Sequence, residues 1–74
     1  MDIRKRLGRN VRKIRRERDW SQEEFAFRSN LHQTYVSGIE QGARNPTILV
    51  LQKMADALGV EPVTLLGKDP GAAS

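Results

Sequence analysis

Apolar residues return along the chain at helical intervals. Near the start, Ile3, Leu7, Val11 and Ile14 recur at spacings of four, four and three, one stripe of a 3.6-residue helix, while Arg4, Lys5, Arg9, Arg12, Lys13 and Arg16 fall mostly elsewhere. A first helix is expected over about residues 2–18. Ser21 stands three residues before Glu24, the capping-box pattern, and Trp20 ahead of the cap is placed to pack on Phe25, so a second helix is expected at roughly 22–29. After the short turn Ser29-Asn30-Leu31, Val36 and Ile39, with Leu31 at the entrance, mark the apolar edge of a third helix over about 32–41, which Gly42 ends. Pro46 fixes the exit of a polar loop, and Thr47 caps a fourth helix that turns Leu51, Met54, Ala55 and Leu58 inward before Gly59. Glu61-Pro62 suits the cap and first position of a brief fifth helix ending near Leu66, because proline has no N–H to lose there. No alternating β-branched stretch competes. The expectation is an all-α chain of five helices, with residues 1–67 as one domain and 68–74 as a disordered tail.

Composition narrows the classes of function. A chain of 74 residues with 38% hydrophobic positions builds one small domain with a thin core, and without cysteine it has neither disulfides nor Cys-based zinc sites to brace it. The longest apolar run, Ile48-Leu49-Val50-Leu51, is far short of the roughly 20 residues of a membrane span, and the basic start leads into no apolar signal core. A cytoplasmic protein, nucleoid-associated when bound to DNA, is therefore expected. One histidine and scattered carboxylates form no paired acid/base or nucleophile constellation, so no catalysis, metal or cofactor is expected, and no second domain offers an effector pocket.

The net charge of +4 hides an asymmetry. Residues 1–18 hold nine Lys/Arg against Asp2 and Glu17, a balance of +7, so the remainder carries −3. Such a block points to nucleic acid or an anionic surface as partner, although a solvated helix face is the commoner reason for a charge run.

More specific is the pair of short helices joined by a three-residue turn. That is helix-turn-helix geometry, in which the second helix enters the major groove while the first braces it on the backbone. With Val36 and Ile39 turned inward, the third helix presents Gln33, Thr34, Ser37, Gly38 and Gln41, small or uncharged hydrogen-bonding residues rather than a Lys/Glu mixture. Gln33 at the leading end suits bidentate bonding to adenine N6 and N7, and an ordinary polar helix start is the alternative.

From Trp20 onward the chain resembles the helix-turn-helix domain of the phage Cro and repressor class, the xenobiotic-response-element-type regulators, over about residues 7–67. The resemblance rests on Ser21-Gln22, on Tyr35-Val36-Ser37-x-Ile39-Glu40-x-Gly42, on Arg44-Asn45-Pro46-Thr47, and on Ala55-x-x-Leu58-Gly59-Val60. Within that class, Ser29-Asn30-Leu31 and Thr34 to Glu40, on a chain with no effector domain, look most like the controller proteins of restriction–modification systems. The resemblance implies a five-helix repressor-like fold with the helix-turn-helix at helices two and three. It also implies base reading by Gln33, Thr34, Ser37 and Arg44, and DNA-backbone contacts from Ser21, Gln22, Tyr35 and Asn45. Plain N-capping is open to Ser21 as well, a core position to Tyr35, and a phosphate contact to Arg44 in place of a guanine edge. Arg15 and Glu40 are implied as a buried ion pair between helices one and three. At His32-Gln33 the chain departs from the controllers, which often carry an acidic residue followed by arginine; glutamine favours adenine where arginine favours guanine. His32 itself, without a Cys or His partner for a metal, reads as a helix cap or phosphate neighbour, with simple solvent exposure the commonest case.

Helices four and five carry more apolar residues than this core can use. A two-fold patch on helix five that includes Val63 and Leu66 would absorb the surplus and make a homodimer, unless all of them pack within one chain. The function expected is that of a homodimeric, sequence-specific regulator of transcription on a pseudo-palindromic duplex operator, with no small-molecule effector. The alternative is an antitoxin-like protein-interaction module that binds DNA secondarily.

Overall fold

Asp2 opens the first helix of the computed structural model, which describes residues 2–68. Its carboxylate accepts the Arg4 backbone N–H at 2.7 Å, and bonds from the Arg4 side chain and backbone hold its pKa down to about 2. Helix α1 (Ile3–Glu17) follows, then α2 (Gln22–Ser29), α3 (Gln33–Glu40), α4 (Ile48–Leu58) and α5 (Pro62–Leu66), with no strand among the described residues. Caps explain where these helices begin. Ser21 accepts the Glu24 N–H at 3.0 Å, Thr47 accepts the Val50 N–H at 3.2 Å, and Pro62 takes a first-turn position behind Glu61.

The turn between α2 and α3 is made by Asn30, which takes the left-handed conformation at φ 59° and returns its N–H to Phe27 while Leu31 bonds back to Ala26. Asparagine tolerates this backbone better than other non-glycine residues. The turn lays α3 against α2 and α1. Leu7, Val11 and Ile14 of α1, Phe25 and Ala26 of α2, Val36 and Ile39 of α3, Met54, Ala55 and Leu58 of α4, and Leu65 of α5 close one shared core, against which Trp20, Leu31, Tyr35 and Leu51 are half-buried. Ile3, expected on the inward stripe, is instead 52% exposed at the first turn, on the rim of a shallow pocket with Leu7, Ile48, Leu51 and Leu66.

Two residues of α1 determine how closely its neighbours approach. Asn10, wholly buried among the apolar positions of that helix, donates at 2.7 Å to the carbonyls of both Leu65 and Gly67, tying the end of α5 to α1. Arg9 adds a 2.7 Å bond to the Lys68 carbonyl, so this docking reaches Lys68, the first residue of the expected tail; residues 69–74 lie outside the described residues. Gly8 sits where α1 crosses the end of α3. A Cβ there would stand 2.7 Å from the Glu40 carbonyl oxygen and closer still to that of Ile39, both backbone atoms that cannot swing aside. Gly8→Ala is therefore expected to lower stability by about 2 kcal/mol, the cost of spreading the helices exceeding the gain in helix propensity. Chemical denaturation measures it, and an unchanged midpoint would show that the crossing relaxes freely.

Candidate nucleic-acid interface

The leading end of α3 carries its most exposed polar side chains. Gln33 and Thr34 project into solvent, and Ser37 and Gly38, one turn on, are half-buried on the same helix. Ser37 Oγ accepts from Gln41 Nε2 at 3.1 Å, which ties two residues of this outward face together. Val36 and Ile39 are buried, so packing fixes the rotation of α3 about its own axis and thereby decides which residues point outward. His32 occupies the cap position in extended backbone, with no side-chain cap bond.

Beneath this face one carboxylate joins three helices. Glu40 Oε2 accepts from Arg15 Nε at 2.6 Å, and Oε1 accepts from Arg15 Nη2 at 2.9 Å and from Gln22 Nε2 at 3.1 Å. The remaining arm of Arg15 donates from Nη1 to the Trp20 carbonyl at 2.7 Å. The Arg15 and Glu40 side chains are only 8% and 3% exposed. The hydrogen bond to Glu40 raises the Arg15 pKa above its ordinary value against the opposing effect of burial, and the guanidinium stays charged. The start of α2 is thereby held at a set place beside the end of α3, as two elements that straddle a groove edge require.

Gln22 thus spends part of its amide on Glu40, while the amide carries a second N–H donor. Ser21 uses its oxygen as the α2 cap and keeps a hydroxyl proton to donate. Tyr35 is half-buried against the core with its ring beneath Arg44, whose Cζ lies 5.5 Å from the ring centroid. Arg44 and Asn45 are both exposed, on the loop that follows α3. Gln33, Thr34, Ser37, Tyr35 and Arg44 therefore belong to α3 or are folded back on it, and Ser21 and Gln22 stand at the neighbouring helix start.

Two positioning features escape a reading of the sequence. Asn10 carries a signal in hindsight, a lone polar residue among the buried positions of α1. The approach of Arg44 to α3 carries none, since it depends on the path of the loop. The outer face of α1, with Arg9, Arg12, Lys13 and Arg16 around a shallow concavity, supplies a broad positive field. No group of three metal-binding side chains occurs among the described residues, and no helix there is long and apolar enough to cross a membrane.

Away from the polar face the molecule leaves apolar side chains in water. Ile48 is 83% exposed, Leu49 76% and Val63 72%, and Leu66 is half-buried between α5 and the pocket at Ile3.

Comparison with known proteins agrees with this geometry. The helix-turn-helix family matches residues 11–65. The uncharacterized HTH-type transcriptional regulator y4dJ of Sinorhizobium fredii is 47% identical over 66 residues, which is 89% of this chain and 86% of that one. Control protein C.BamHI of Bacillus amyloliquefaciens is 46% identical, over 88% of this chain and 82% of its own. Among solved structures, the hypothetical transcription factor NHTF from Neisseria superposes with a TM-score of 0.86 at 42% identity, covering 89% of this chain and 76% of that one. The restriction–modification controller protein C.Esp1396I, solved as a tetramer on its natural 35 base-pair operator, superposes at 0.79 with 37% identity, over 88% and 87% of the two chains. With its two short helices joined by a tight turn, the brace between them and these relatives taken together, the chain belongs to the helix-turn-helix family of transcriptional regulators, alongside the restriction–modification controller proteins.

Proposed function

We propose that the protein is a homodimeric, sequence-specific regulator of transcription of the restriction–modification controller type, acting on a pseudo-palindromic duplex operator. The observation that carries this reading is the outward face of α3, uncharged and hydrogen-bonding from Gln33 to Ser37, beside a helix start that Glu40 holds in place. Base edges in the major groove ask for such side chains, and the basic α1 supplies the attraction that is independent of sequence. The operator complex of C.Esp1396I supports assembly on DNA. The exposed Ile48, Leu49 and Val63 support pairing of two copies. A two-fold dimer sets the reading helices about 34 Å apart, one DNA turn, and asks for half-sites about 10 bp apart.

Selection from a random duplex library, followed by binding measured across salt, tests the proposal. Enrichment of an inverted repeat is expected; with about eight phosphates contacted, log K should fall against log salt with a slope of roughly −7. Recovery of no preferred sequence would sink the reading. Gln33→Ala is expected to cost about 1–3 kcal/mol on the selected site and to relax one position in each half-site. Equal losses on all sequences would remove Gln33 from base reading.

A further inference from the structure

Gly38 lies inside α3, where glycine is a poor helix former, and its backbone gives no reason for it. The positive-φ positions among the described residues are Asp19, Asn30, Gly42 and Gly59, so Gly38 has a conformation that any residue adopts. What needs the missing side chain is Arg44. A Cβ at Gly38 would stand 2.8 Å from Arg44 Cγ, 3.1 Å from Nε and 3.5 Å from Cδ. The arginine stem crosses the helix at this notch and brings its guanidinium over the Tyr35 ring. Gly8 has a different reason to be glycine, since the atoms against it are backbone. At Gly38 the space serves an exposed side chain and fills no core.

We propose that Gly38 is a positioning residue for DNA recognition: by keeping the middle of α3 open, it seats Arg44 on the reading face against Tyr35, ready for the O6 and N7 edge of a guanine. This rests on the DNA-reading function proposed above. An arginine already laid on the helix and stacked on an aromatic face loses less freedom on binding than one free in solvent, and its planar fork fits guanine with two bonds. The loop after the helix thereby adds a guanine contact, which the uncharged side chains of α3 do not supply.

The test compares wild type, Gly38→Ala, Arg44→Ala and the double variant by binding-site selection and by NMR. Both single variants are expected to lose preference at the same G·C pair of each half-site and to bind the wild-type site about 10-fold more weakly. The double variant should bind no more weakly than Arg44→Ala alone. Gly38→Ala should melt no lower than wild type, and up to about 4 °C higher, because alanine favours helix. Upfield ring-current shifts of the Arg44 side-chain protons should vanish in both Gly38→Ala and Tyr35→Ala. Additive losses in the double variant, a uniform loss across sequences, or Arg44 shifts unchanged in Gly38→Ala would each overturn the proposal. If wild type enriches no sequence, the regulator reading itself fails, and the NMR comparison still decides whether Gly38 seats Arg44.

Discussion

Glu40→Ala is expected to lose about 3–5 kcal/mol of stability, because it leaves the Arg15 guanidinium buried without its counter-charge. That side chain is 8% exposed and gives two of its three arms to the Glu40 carboxylate. A chain of this size has roughly 4–11 kcal/mol to lose, so the variant stands at the edge of unfolding near room temperature. Gln22 loses its acceptor in the same variant, and the start of α2 is freed from α3. The expected order of events on heating or titration is loss of fold first and loss of DNA binding as its consequence. Circular dichroism melting beside a DNA titration checks it; a variant that keeps the wild-type melting temperature but no longer binds DNA would falsify the structural role. Replacing both partners, Arg15→Met with Glu40→Leu, should recover much of the stability, since an apolar pair of similar volume avoids the desolvation cost. It should not recover full DNA affinity, because Gln22 still lacks the carboxylate that orients it.

Val63→Asp is expected to separate the dimer and to weaken operator binding by roughly 10²–10⁴-fold, the advantage that linking two half-site contacts confers. The fold of each chain should survive, because Val63 is 72% exposed and the α5 residue in the core is Leu65. Two carboxylates brought together at a two-fold contact repel each other and forfeit the apolar burial that drives association. Sedimentation at micromolar concentration should show a shift from dimer to monomer with unchanged helical content. A variant that remains dimeric would move the interface away from α5, with Ile48 and Leu49 the next exposed apolar positions to change. Leu66 is a poorer probe, since its half-buried side chain also lines the pocket beneath α1, and a charge there would disturb fold and association together.

Much of the fold was legible in the chain because its helices are short, amphipathic and explicitly capped. The spacing of Ile3, Leu7, Val11 and Ile14 gave α1, Ser21 with Glu24 gave the start of α2, and Thr47, Gly59 and Pro62 delimited α4 and α5. Each of these signals acts within one or two helical turns, so no knowledge of neighbours is needed to read it. The apolar excess of the last two helices was equally plain, because composition alone exceeded what a small core takes in.

Local rules fail wherever a residue answers to a distant one. The exposure of Ile3 follows from the pocket at the edge of α4 and α5, and the burial of Asn10 follows from two carbonyls 55 and 57 residues away. Gln22, polar and placed at a helix start, carries no sign that part of its amide is committed to Glu40 on another helix. By itself, then, the order of amino acids determined five helices, their ends and the chemical character of the outward side of α3. Tertiary structure decided that one carboxylate locks α1, α2 and α3 together, that Gly8 lets α1 and α3 touch backbone to backbone, and that Arg44 crosses α3 at Gly38. The physical reason is range: caps and periodicity are written within about seven residues, whereas ion pairs, close crossings and seated side chains exist only once remote segments meet.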